Sequence, residues 1–163
     1  MTTASAGFVF TLDTIVNGII VDRETVHNLM PTEAANYLIN AGIKASAPYT
    51  SWYIGLYAGR YTPVAGDTMA AFPALAGELV DFSEATRRPL VLGIAANGQV
   101  HNRASQALFT GTVNGTLALG GFISSSAIKN STAGLLLSAV HFPSPKPLGA
   151  GVGLRVTCGF ALS

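Results

Sequence analysis

Charge is what this sequence has least of. Nine Lys or Arg and eight Asp or Glu make up 10% of its 163 residues, and 49% of the chain is apolar. An ordinary soluble domain is roughly a quarter charged, so this surface has little ionic repulsion to keep it apart from other surfaces. The composition predicts a protein that covers much of its surface with partners. A membrane helix is excluded as the explanation. The longest neutral stretch, residues 104–128, carries Ser105, Gln106, Thr110, Gly111, Thr112, Asn114, Gly115, Gly120, Gly121 and three further serines, whereas a spanning helix needs about 20 predominantly apolar residues. No membrane partner is expected.

Cysteine is almost absent as well. Cys158 stands alone, which excludes an intrachain disulfide and suits folding in a reducing cytoplasm. The start, MTTASAGFVF, has neither a basic segment nor a long apolar core, so no signal peptide is expected. Basic residues are too few and too scattered for the stripe that a phosphate backbone demands, and nucleic acid is not an expected partner.

Chemical machinery is equally sparse. His27, His101, His141 and Cys158 are far apart in sequence and show no metal-ligand spacing. No G-x-S-x-G elbow is present, and neither Gly120-Gly121 nor Gly149-Ala150-Gly151 has the ending of a phosphate loop. These glycines read as bends and close backbone contacts in strands. The densest charged region holds Glu78, Asp81, Glu84, Arg87 and Arg88. Two of its carboxylates could serve glycoside hydrolysis; the preferred reading pairs Arg87 or Arg88 with Glu84 or Asp81, fixing a loop or reaching a neighbouring subunit. The expectation is a protein without catalytic, metal or cofactor sites.

What the sequence does contain is strand pattern and turn chemistry. Asn-Gly pairs at 17–18, 97–98 and 114–115 are each a hairpin signal, because both residues tolerate the positive φ of type I′ turns. The first predicts a long hairpin from 8–16 and 19–26, and residues 1–28 form a candidate arm lying on a neighbouring subunit, with an ordinary edge hairpin as the alternative. Thr32 to about Ala41 predicts one short helix, capped by Thr32 and ended near Gly42. Strands are predicted at 51–57, 79–82, 89–95, 99–102, 107–113, 116–124, 135–142 and 153–162. In the last, Leu154, Val156, Cys158, Phe160 and Leu162 share one face, which buries Cys158. Pro143, Pro145 and Pro147 predict a stiff loop. The sum is an all-β, jelly-roll-like sandwich of residues 29–163 with one short helix and the N-terminal hairpin.

Candidate interface residues follow from exposure and chemistry. They are Phe8, Phe10, Ile19 and Val21 on the hairpin; Tyr53, Tyr57 and Tyr61, whose rings could pack on a partner or stack on sugars; and Arg60, Arg87, Arg88 and Lys146 as cationic contacts. His141 and His101 are expected to point to solvent.

Four segments carry a resemblance: SWYIGLYAGRYTPVAGDT at 51–68, EATRRP at 84–89, GFISSSAIK at 121–129 and LRVTCGF at 154–160. The chain from about residue 36 to its end resembles structural proteins of tailed bacteriophages, and within them the head decoration, or cement, proteins. That resemblance implies a jelly-roll-like β domain on the capsid exterior, made in the host cytoplasm, self-associated as a homodimer or homotrimer, and bound to the major capsid protein. Tail or fibre components are the alternative that the resemblance leaves open. It assigns no binding residues, and residues 1–28 lie outside it.

Overall fold

Alternation in the final strand positions the rest of the molecule. The computed structural model describes residues 6–162, and in β10 (Val152–Leu162) Leu154, Val156 and Cys158 are buried while the residues between them are half-exposed. Burial pushes the Cys158 thiol well above its ordinary pKa, so it packs as a neutral hydrophobe. Antiparallel to β10 along its whole length runs β1 (Ala6–Val16), from Ala6 opposite Leu162 to Val16 opposite Val152. β2 (Ile19–His27) returns on the other side of β1 through a turn in which Asn17 and Gly18 both have positive φ. The strands β6 (Gln99–His101) and β7 (Ala107–Thr110) pair with different stretches of β10 and complete sheet A.

Sheet B is built on β3 (Tyr53–Tyr57), which pairs with the short β4 (Glu78–Leu79) and β5 (Arg88–Pro89) on one side and β8 (Leu117–Ser124) on the other. β9 (Leu136–Pro147) then follows β8 at the sheet's edge. The two sheets form an all-β sandwich, as the strand pattern predicts. Phe8, Phe10 and Leu12 of sheet A meet Ile54, Leu56 and Ile123 of sheet B in the main core. Lone bridges join the sheets at both margins, Leu29 to Ala139 and Phe82 to Gly111. Helix α1 (Thr32–Gly42) closes one end and buries Ala34. Its first residue is Thr32, but Pro31 occupies the capping position and no side chain caps it.

Several expectations need correcting. The N-terminal hairpin is not a separate arm in this chain: β1 is an interior strand of sheet A, and Phe8 and Phe10 are core residues at 4% and 0% exposure, because their face meets sheet B. The boundary at residue 28 therefore divides one sandwich; residues 1–5 of that segment, and Ser163, lie outside the described residues. The triple-proline segment is strand rather than loop. It forms the end of β9 beyond a register shift, on an edge where missing N–H donors break no ladder. Of the strand expected at 89–95, only Pro89 lies in a ladder. The third Asn-Gly pair carries positive φ only at Gly115 and links β7 of sheet A to β8 of sheet B, so it is a crossing turn and not a hairpin.

A second layer covers the outer face of sheet B. There Tyr57 and Phe122 pack with Met69, Phe72 and Ala76 from the segment that includes α2 (Phe72–Ala76), a single-turn helix with proline near its start and left-handed Gly77 at its end. The two rings occupy the space above cross-strand glycines. Phe122 sits opposite Gly55 and Tyr57 opposite Gly120, and a Cβ on either glycine would penetrate the ring above it.

Candidate interaction surface

Most of the scarce charge is used inside the molecule. Arg87 and Glu78 form a buried, bidentate pair, with Nε to Oε1 at 2.8 Å and Nη2 to Oε2 at 2.7 Å. Arg87 also donates to Ser124 Oγ and to the carbonyls of Ser126 and Ser131, and its guanidinium lies over the Phe122 ring. The Asn130 N–H donates to the same carboxylate. Such pairs persist in a low-dielectric interior only when every donor and acceptor is engaged. This corrects the expectation that Arg87 meets Glu84 or Asp81 or reaches a neighbour. Glu84 instead accepts from the Thr110 N–H and hydroxyl.

Lys146 is likewise buried, not a surface contact. It lies at 2.7 Å from Asp22 and 2.6 Å from Glu24, tying β9 to β2. Burial alone would lower its pKa, but the hydrogen bonds to Asp22 and Glu24 outweigh it and hold the ammonium above its usual range. Glu33 accepts from the Met69 and Leu136 N–H groups and so pins α1 to the second layer. Lys129 donates to the carbonyls of Val80 and Phe82 and stands 3.6 Å from the Phe82 ring centroid.

The tyrosine row expected at the surface is dismantled by the fold. Tyr57 is fully buried, and its hydroxyl donates to the carbonyls of Tyr61 and Val140. Desolvation raises its pKa, so it stays a neutral donor. Tyr61 is half-buried and donates to Asp67, a bond that raises its own pKa. Tyr53 is half-buried beside a cleft it shares with Trp52 and Pro89. Arg88 is half-buried, and its Nε has no hydrogen-bond partner among the described residues.

Other candidates do lie at the surface. Ile19 and Val21, at the hairpin tip, are 66% and 59% exposed. Arg60 is exposed in a cleft with His141, which points outward as its strand position predicts; His101 is exposed too. Sequence reasoning missed the apolar residues that the fold leaves bare elsewhere, Ile94 at 97% and Ile43 at 82% among them. Each sits next to strand-like or helix-like residues, so only the broken ladder after Pro89 and the end of α1 reveal them. It also missed the outer row of sheet A, where Asp13 lies between Arg23 and Arg155.

Among the described residues, no three His, Cys, Asp or Glu side chains are grouped to hold a metal ion, and no helix is long and apolar enough to cross a membrane. The class the fold defines is an all-β sandwich in which most charged side chains are hydrogen-bonded within the chain, while Lys44, Arg60, Asp81 and Arg103 and several apolar side chains are exposed. Comparisons with protein-family models, curated proteins and solved structures found no match for this chain.

Proposed function

We propose that this protein is a non-enzymatic structural component of a tailed-phage virion. It decorates the capsid exterior and cements it by bridging major capsid subunits as a homodimer or homotrimer. The observation that carries this reading is how the charge is distributed: Arg87–Glu78 and Lys146–Asp22–Glu24 are spent on holding the sandwich together, while Ile19, Val21, Ile43 and Ile94 stand exposed. Apolar side chains left bare in this way gain free energy when another protein covers them. The sequence resemblance to phage decoration proteins supplies the partner. Binding to the assembled shell alone stabilises it by RT ln(1 + [L]/Kd), and an oligomer that spans subunits multiplies the effective affinity.

The alternative, a tail or fibre appendage that stacks on glycans, finds less support. Burial of Tyr57 and engagement of Tyr61 by Asp67 leave no row of three tyrosine rings at the surface. The test is to count copies per particle and to measure head bursting temperature with and without the protein. Hundreds of copies and a lower bursting temperature on their loss are expected. A few copies at the tail would overturn the decoration reading.

A further inference from the structure

We propose that the row Arg23–Asp13–Arg155, on the outer face of sheet A, is a receiving site for a carboxylate and docks an acidic patch of a protein partner. The partner's identity as a capsid subunit rests on the decoration reading above; the chemistry of the site does not.

The register sets the three side chains side by side, because Asp13 is the cross-strand partner of both Arg155 on β10 and Arg23 on β2. They point away from the core, since the alternate residues Leu12 and Leu154 are fully buried in it. Arg23 grips Asp13 with Nε at 2.6 Å and Nη2 at 3.0 Å; Arg155 adds Nε at 3.2 Å and Nη2 at 2.8 Å. One bidentate arginine already neutralises one carboxylate. The second leaves the row with a net positive charge.

Donor accounting points the same way. Asp13 accepts four hydrogen bonds and is 1% exposed, so it has nothing left to offer a partner. Each guanidinium has five N–H donors and uses Nε and one Nη, leaving Nη1 without a protein acceptor among the described residues. Arg23 is 59% exposed and Arg155 29%, so both side chains reach solvent.

The surroundings select an acidic protein. Next to the row on this face lie Thr11, Thr25 and Thr157, all neutral, and Glu84 at the β7 margin is occupied by Thr110. Beyond the arginines, Ile15, Leu108 and Val152 line an open cleft of about 480 Å³. Two guanidiniums beside apolar side chains suit a carboxylate within a protein surface. A nucleic-acid backbone would call for a longer basic stripe.

The experiment measures binding of purified protein to heads lacking it, across a salt series, with Arg155→Gln and Arg23→Gln as variants and Arg155→Lys retaining charge without the fork. Wild-type affinity should fall as salt rises. The glutamine variants should bind about tenfold or more weakly and with a flatter salt dependence, and Arg155→Lys should fall between. Glutamine variants that bind like wild type, with the same salt dependence, would overturn the docking site. A second arm titrates wild-type protein with a short oligoglutamate peptide and follows the Arg Nε–H resonances by NMR. Shifts confined to Arg23 and Arg155 support the carboxylate site; unchanged resonances at millimolar peptide overturn it. Heads that do not bind wild type while oligoglutamate still shifts both arginines would sink the decoration reading and leave the site standing.

Discussion

At the scale of single residues, polar groups in the core decide where stability can be gained or lost. Thr14 is 3% exposed, and its hydroxyl has no hydrogen-bond partner among the described residues. A buried hydroxyl left unpaired carries its desolvation cost without return, and valine has nearly the same shape. Thr14→Val should therefore raise unfolding stability by about 1 kcal/mol, measured by denaturant titration. Glu78→Gln should act in the opposite direction. It leaves the buried Arg87 guanidinium without its counter-charge, and removing one member of a buried pair costs about 3–5 kcal/mol. A loss under about 1 kcal/mol would mean that the serine carbonyls and Phe122 suffice to hold Arg87. The Arg87–Glu78 pairing could not be read along the sequence: Glu78 lies nine residues from Arg87, and only the return of β4 and the 124–131 turn bring donor and acceptors together.

At the scale of elements, alternation was legible in β10 and misleading in β3. β10 alternates from Leu154 to Cys158, so the burial of Cys158 follows from period two, whereas Leu162, at the end of the same row, is 62% exposed. β3 is buried on both faces, and alternation there placed Tyr57 outside. The signal that would have corrected this was Phe72-Pro73 followed by Gly77, a helix start and stop in a stretch without strand pattern. The close approach of glycine and ring yields a prediction at this scale. Gly120→Ala drives a Cβ into the Tyr57 ring, which its two carbonyl acceptors hold in place. A loss of about 1–3 kcal/mol is expected, the ordinary cost of over-packing. Deleting residues 2–28 is a harsher test. Because the deletion removes an interior strand and the Phe8–Phe10–Leu12 ridge, the truncated chain should lose cooperative unfolding by circular dichroism and calorimetry. A truncated chain that still melts sharply would restore the view of this hairpin as a detachable arm.

At the scale of the whole molecule, the pairing of β1 with β10 sets the order in which the protein can become itself. The register joins Ala6 to Leu162 and Val16 to Val152, so the interior of sheet A is assembled from the two most distant parts of the described chain. Pairings of such long sequence separation form slowly, since the loop must be closed before the contact stabilises it. During synthesis, β1 remains without its β10 partner until residues 152–162 have left the ribosome. Until that moment one edge of β1 is an unpaired strand edge, open to pairing with another chain.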